Sequence, residues 1–313
     1  MDMASKSAFQ NRAQEIWEAG QRVFQVLTGR LMAGRGLTVF PDDVFLVSYP
    51  RSGNTWTRFL IGNLLRPEQP VSFATVESVI PEIYFNPDRI LRGYQRPRLL
   101  KSHESFQPLY KRVIYITRDP RDVAVSFYHH HVKAGNLPDG YPMDEYVPRF
   151  VAGEFDPAFG SWGENVQSWL AIRGDNPDFL LLQYEQMLQD PEEALKKVGD
   201  FLAARSLPHL DRTPQTIRRA VALSSPDRMR ALEKQQSKDW VLTRSTRQDK
   251  PFVRSAKTGE WRKALSPAAA QCIETAWGGV MQRLGYQLSN PENAMTLHKT
   301  AESAVSVSSR PRF

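Results

Sequence analysis

Cysteine is all but missing: Cys272 stands alone among 313 residues. A single thiol excludes an intramolecular disulfide and any thiolate-based metal cluster. Long apolar runs are missing too, since none reaches the roughly 18 residues that a membrane-spanning helix needs. The opening segment, MDMASKSAFQNRAQEIWEAGQRVF, lacks the apolar centre of a secretory signal. Together these absences predict a cytoplasmic protein in a reducing compartment. What is present is ordinary for a globular chain: 41% hydrophobic and 24% charged residues, enough for one large α/β domain or two small ones. The formal net charge of +7 favours an anionic partner, whether nucleic acid, an acidic membrane surface or a highly charged small molecule. Lys and Arg are spread along the whole length, so nucleic acid has no support beyond composition.

Residues 8–33 have apolar positions at helical spacing, among them Phe9, Ile16, Trp17, Val23, Phe24 and Leu27. They predict an amphipathic N-terminal helix, residues 1–40 forming an extension that lies against the body. Its arginines leave peripheral membrane contact as a second use. DVFLVSY at 43–49 reads as a buried strand, and the helix TWTRFLIGNLL follows at once, ended by Pro67 and Pro70. PRLLKSH and RVIYITR read as two further strands. DPRDVAVSFYHHHVKAG reads as a helix with Asp119 as N-cap, Pro120 at its first position and Asp122 in the capping-box slot. FLLLQYEQML at 179–188 predicts another buried strand running into a turn, and DPEEALKKVGDFLAA another capped helix. Strands alternating with helices predict an α/β fold, a parallel central β-sheet flanked by helices on both faces, within residues 41–288. The polar, basic residues 235–258 are expected to form a mobile loop, and the Ser-rich end, 289–313, a disordered tail.

The chemistry begins at VSYPRSGNTW, residues 47–56. A strand that turns directly into a helix places the turn at the carboxyl edge of a parallel sheet, where open α/β folds bind ligands. Helix N-terminal amides and their dipole attract an anion there. Gly53 permits close backbone approach, Ser52, Asn54 and Thr55 add donors, and Arg51 adds a guanidinium. The stretch lacks the first Gly and the Lys of G-x-x-x-x-G-K-[ST], so it is not a triphosphatase loop. A second element, ITRDPRDVAVSFY, ends a strand with Arg118 and sets Ser126 about two turns into the next helix. Both can reach a second phosphate; the same sequence also fits Arg118 paired with Asp119 or Asp122, and Ser126 merely packed. In LLKSHESF, Lys101 and His103 fall on one face of a strand, a cation beside a group that titrates near neutrality. That pair suits proton removal next to developing negative charge. The run His129, His130, His131 does not suit a metal, because consecutive helical residues point in different directions.

YPRSGNTW, KSHESF, VIYITRDPRDVAVSFYHH, FGSWGENVQSW, LLQYEQMLQDP and FVRSAKTGEW occur in the order seen in cytosolic-type sulfotransferases, and the chain resembles that family over residues 40–285. The resemblance implies a nucleotide-kinase-like fold and 3′-phosphoadenosine 5′-phosphosulfate (PAPS) as sulfuryl donor, with no metal. By the same resemblance Arg51, Ser52, Gly53, Asn54 and Thr55 hold the 5′-phosphosulfate and Trp56 stacks on adenine. Arg118, Ser126 and Arg254 take the 3′-phosphate, and Tyr184 and Ser224 contact the nucleotide. His103 is the base, with Arg51 and Lys101 beside it as catalytic cations.

The sequence departs from the family at several places. Arg51 replaces the usual loop lysine. Ser255 and Ala256 replace the Lys-Gly of the closing loop, with Lys257 one step on as a substitute cation. Pro226 stands where a Phe is common, and RKALSPAAAQ lacks most of the family's dimer motif. The expected activity is sulfuryl transfer to a hydroxyl, in second place an amine, of a small molecule. The alternatives are a non-catalytic module that binds PAPS or its product nucleotide, and an ATP-dependent kinase on a related fold. Phe73, Tyr84, Phe85, Tyr141 and Phe155 are the aromatic candidates for the acceptor pocket, which segments 73–95, 135–160 and 235–250 would supply.

Overall fold

Strands β1 (Val44–Ser48), β2 (Leu99–Ser102), β3 (Arg112–Thr117) and β4 (Phe179–Gln183) form one parallel sheet in the order β2-β1-β3-β4. This computed structural model describes residues 32–289. The expected helix over 8–33, all but its last two positions, and the tail from Pro291 lie outside them.

Alternation along the strands sorts the core into two layers. Phe45, Val47, Tyr49, Val113 and Tyr115 meet helices α2 (Pro120–Ala134), α3 (Met143–Val151), α4 (Trp162–Arg173) and α8 (Pro267–Arg283). Val44, Leu46, Ile114 and Ile116 meet α1 (Asn54–Leu65), α5 (Pro191–Arg205) and α6 (Pro214–Leu223). Both faces are thus covered, and each fully buried Leu, Ile, Val or Phe contributes about 1.5–3 kcal/mol. Helix α7 (Pro226–Gln236) brings Met229 against a third cluster of Phe59, Phe73 and Trp240. Among the described residues no helix is long and apolar enough to cross a membrane.

Local capping follows the sequence in most places. Asp119 accepts from Arg121 N–H at 2.9 Å and Asp190 from Glu193 N–H at 2.9 Å. Four readings need correction. Asp122 does not close a capping box; it accepts N–H bonds from Gly259 (2.6 Å) and Trp261 (3.0 Å), residues that the chain brings back from far away. β4 lies at the sheet edge, with Leu181 37% exposed, so its apolar run is only half covered. It runs into the short helix Tyr184–Gln189 and not into a turn. Residues 235–258 are irregular but anchored: Trp240, 2% exposed, packs on Phe73 and Phe252, and Thr243 donates to the Ser237 carbonyl at 2.6 Å. A buried tryptophan, with Glu233 accepting from the Phe252 and Val253 N–H groups, helps to hold a segment whose composition predicts a loose loop.

Candidate active site

Each strand of the sheet ends at the same cavity. Arg51 follows β1, His103 follows β2, Arg118 follows β3 and Tyr184 follows β4, and all four line a space of about 320 Å3. Because β1 lies between β2 and β3, the chain leaves β1 first to one side and then to the other. That reversal of direction opens a crevice at the carboxyl ends of the strands.

The turn after β1 is set by Gly53, at φ 97°. A side chain there is also excluded by contact, since a Cβ would lie 2.4 Å from Cδ2 of Tyr184. The first bond of α1 runs from Thr57 N–H to the Gly53 carbonyl (3.1 Å). The amides of Asn54, Thr55 and Trp56 therefore have no intrahelical acceptor, and they stand at the positive end of the helix dipole. Asn54 Nδ2 donates to Ser48 Oγ at 3.2 Å, folding the turn back on its own strand. Gly53, Asn54, Thr55 and Trp56 line the cavity. Ser52 does not: it is wholly buried, and among the described residues its hydroxyl has no partner.

Among the described residues, two cavity-lining guanidinium groups have no carboxylate partner. Arg118 donates to the carbonyls of Arg51 and Lys257, each at 3.2 Å, lies 4.4 Å from the Tyr184 ring centre, and keeps a buried Nε without an acceptor. The alternative pairing of Arg118 with Asp119 or Asp122 does not form; Arg121 takes Asp119 at 2.7 Å. Arg51 donates through Nε to Ser126 Oγ (3.3 Å) and lies 4.6 Å from the Phe252 ring centre. Burial, and then repulsion from Arg118 and Arg254, push the Arg51 pKa down to about 10. Cations held together out of water are costly until an anion joins them, so the arrangement favours a polyanionic ligand.

The far wall carries the 251–258 segment. Arg254 pairs with Glu260 at 2.5 Å, and the Ser255 hydroxyl donates to the same carboxylate at 2.5 Å. Ala256 adopts φ 53°, a left-handed conformation that costs an L-residue roughly 1–2 kcal/mol. Lys257 is exposed and does not line the cavity, so it gives no substitute cation there. Sequence reasoning missed Arg230 of α7, which donates to the carbonyls of Arg254 (3.2 Å) and Ser255 (2.9 Å) and braces the segment from outside. Trp56 lines the cavity edge-on to Tyr184 (5.8 Å), and its Nε1 donates to the Ser224 carbonyl at 3.0 Å. Ser224 itself is buried away from the cavity, its hydroxyl held by Ala220 and Asn63. Its part is to orient Trp56. Pro226 also lines the wall.

His103 Nδ1 lies 2.6 Å from the Ser48 carbonyl. A carbonyl only accepts, so Nδ1 carries the proton and Nε2 keeps its lone pair free. The His103 backbone is held on both sides, its N–H by Tyr84 Oη (3.1 Å) and its carbonyl by Asn165 Nδ2 (2.9 Å). Burial, then the nearby Lys101 charge, drive its pKa well below 6.5. Lys101 lines the same cavity, paired with Glu82 at 2.6 Å; burial lowers its pKa. The His103 ring should therefore stay neutral well below the pH at which an ordinary imidazole takes its proton. An NMR titration of its Cε1–H reads this directly, and a midpoint near 6.5 would contradict the burial described.

Of the expected acceptor aromatics, Tyr84 and Phe85 line the cavity. Phe73, Tyr141 and Phe155 do not. Phe73 belongs to the Phe59–Trp240 cluster, and Phe155 packs on His131 and Tyr146. Their places are taken by Phe127, His130 and Phe159, which no spacing rule singled out. His129 is exposed, His130 faces the cavity and His131 packs on Phe127. Among the described residues no group of His, Cys, Asp and Glu is placed to hold a metal ion.

A parallel sheet with a helix-opening turn and arginines at its switch point, and a neutral histidine beside them, is an α/β site suited to an anionic ligand and to proton removal. Residues 41–285 match the Sulfotransferase domain, and the chain belongs to that family. It is 29% identical over 261 residues to sulfotransferase 1A1 of Bos taurus, covering 77% of this chain and 84% of the relative. In fold it is similar to mouse sulfotransferase SULT7A1, solved as a complex with PAP: TM-score 0.63, 23% identity, 87% of this chain and 93% of that one. Retinol dehydratase, solved with androsterone and the inactive cofactor PAP, gives a TM-score of 0.66 at 19% identity over 83% of this chain and 86% of that one.

Proposed function

We propose that the protein transfers the sulfuryl group of PAPS to the hydroxyl of a small molecule, releasing a sulfate ester and adenosine 3′,5′-bisphosphate (PAP). The observation that carries this reading is the place of His103: its Nδ1 lies 2.6 Å from the Ser48 carbonyl, which leaves Nε2 to accept, in one cavity with two guanidinium groups that have no carboxylate partner among the described residues. PAPS supplies an activated sulfuryl group on a phosphate leaving group. His103 Nε2 takes the proton of the acceptor hydroxyl as the new O–S bond forms, and the departing phosphate keeps the electrons of the broken S–O bond. Arg51 and Lys101 stabilise the charge that gathers on the transferred group and the leaving oxygen. The turn from Arg51 to Thr55 holds the 5′ end, Trp56 and Tyr184 the base. Arg118, Ser126 and Arg254 hold the 3′-phosphate, with Ser126 linked to Arg51 and so to both ends. A cytoplasmic setting belongs to the same reading, supported by the lone Cys272.

Calorimetry with PAP, with AMP and ATP as competitors, tests the donor. PAP should bind more tightly than AMP, because Arg118 and its neighbours answer the 3′-phosphate. Arg118→Ala should weaken PAP at least about tenfold, since hydrogen bonds to charged groups are worth roughly 1.5–3 kcal/mol. A preference for ATP would revive the kinase reading. PAP binding without transfer to any simple phenol or alcohol would leave a binding module.

A further inference from the structure

Two acidic side chains line the cavity, and they differ. Glu82 is engaged with Lys101 at 2.6 Å. Asp156 is half-buried, and among the described residues its carboxylate has neither hydrogen bond nor ion pair. It lies on the loop between α3 and α4 and lines the cavity together with Phe159, Tyr84 and Phe85. We propose that Asp156 is an acceptor-recognition residue that pairs with a protonated amine, so that the preferred acceptors are hydroxyl compounds carrying a cationic amine. The proposal rests on the sulfuryl-transfer reading and narrows its acceptor class.

Three observations carry it. First, a carboxylate drawn out of water without a protein partner is costly, and a cation relieves that cost more fully than a neutral hydroxyl. Burial pushes the Asp156 carboxyl up to about 6, opposed only by the Lys101 charge, so it remains mostly ionised at neutral pH. Second, Phe159, Tyr84 and Phe85 line the same cavity as this carboxylate, and a carboxylate and aromatic rings together attract an ammonium group by both charge and ring quadrupole. Third, the remaining charges on the cavity are Arg51, Lys101, Arg118 and Arg254, all cationic. A cationic acceptor is repelled from that end and has one favourable direction, amine to Asp156 and hydroxyl to His103.

The loop is built to keep that separation constant. Phe159 N–H donates to the Asp156 carbonyl at 3.1 Å, and Arg35 Nη2 to the Ala158 carbonyl at 2.7 Å. Asn165 Nδ2 serves both sides of the acceptor region, donating to the His103 carbonyl (2.9 Å) and the Phe159 carbonyl (3.3 Å). The base and the segment that carries Asp156 are therefore fastened to one amide group.

The test uses two phenols of nearly equal shape, 4-(2-aminoethyl)phenol and 4-propylphenol, with the full-length chain loaded with PAP. Their dissociation constants give a preference ratio for the wild type and for Asp156→Asn, and kcat/KM with PAPS gives the same ratio in turnover. The wild type should prefer the amine at least about tenfold, and Asp156→Asn should reduce the ratio by at least about tenfold through KM. Equal preference in the two proteins, or wild-type preference for 4-propylphenol, overturns the proposal. If 4-propylphenol is sulfated while the amine brings no advantage, Asp156 fails alone and sulfuryl transfer stands. If PAP does not bind at all, the underlying reading fails and this one with it.

Discussion

Replacing His103 with alanine lowers turnover by at least about two orders of magnitude, the range in which a positioned general base works, while PAP still binds. The expectation follows from where the ring is held. Ser48 fixes the proton on Nδ1, and the Tyr84 and Asn165 bonds fix the backbone, so Nε2 is aimed without having to be ordered during the reaction. Alanine removes the base and also leaves the Ser48 carbonyl without its buried partner, which costs about 1–3 kcal/mol of stability. Thermal melting separates that loss from the chemical one, and single-turnover rates at saturating PAPS read the chemistry. Near-normal turnover in a folded variant would remove His103 from the mechanism.

The second large effect is expected at Gly53. Alanine there meets the positive φ, worth roughly 1–2 kcal/mol, and sets its methyl against the Tyr184 ring at 2.4 Å. Tyr184 is buried and cannot retreat alone, because Arg118 lies on its face and Trp56 meets it edge-on. Moving the ring moves both. Gly53→Ala should therefore weaken PAP at least about a hundredfold, close to 3 kcal/mol, in addition to lowering the urea midpoint. Affinity within a few-fold of the wild type would mean that the ring finds another place without disturbing its neighbours, and the tight packing around it would then have no functional weight.

Much of this was legible in the chain itself. The strands were, because VFLV, LLKS and RVIYIT are short apolar runs between turn residues, and buried parallel strands leave that trace. The turn that opens α1 was legible as well, since PRSGNTW follows a strand and leads directly into a helix. Sheet order was not, because nothing in β4 itself says that it has a neighbour on one side only. Nor were Glu82, Asp156, Phe159 and Phe252, which come from irregular segments far apart and carry no period. Ser52 and Ser224 illustrate the converse. Both stand in sequence patterns that imply a ligand contact, yet both are wholly buried and neither lines the cavity. Asp122 was misassigned for a related reason: a capping slot is a local pattern, and its true partners, the amides of Gly259 and Trp261, arrive by tertiary contact.

Those two amides have a counterpart. The Glu233 carboxylate receives the N–H groups of Phe252 (2.5 Å) and Val253 (2.8 Å), so the arc over residues 254–258 is clamped by a carboxylate at each end. A free loop would have to surrender the freedom of every residue when it closed on a nucleotide, at roughly 1–2 kcal/mol each for the backbone. Here folding has already removed most of that freedom. On the proposed function, what is left to the ligand is an exchange of partners, a phosphate taking Arg254 and Ser255 from the Glu260 carboxylate. Such an exchange is nearly balanced in charge and reversible in the same small movement, so the arc that grips the arriving donor is equally prepared to let the spent nucleotide go.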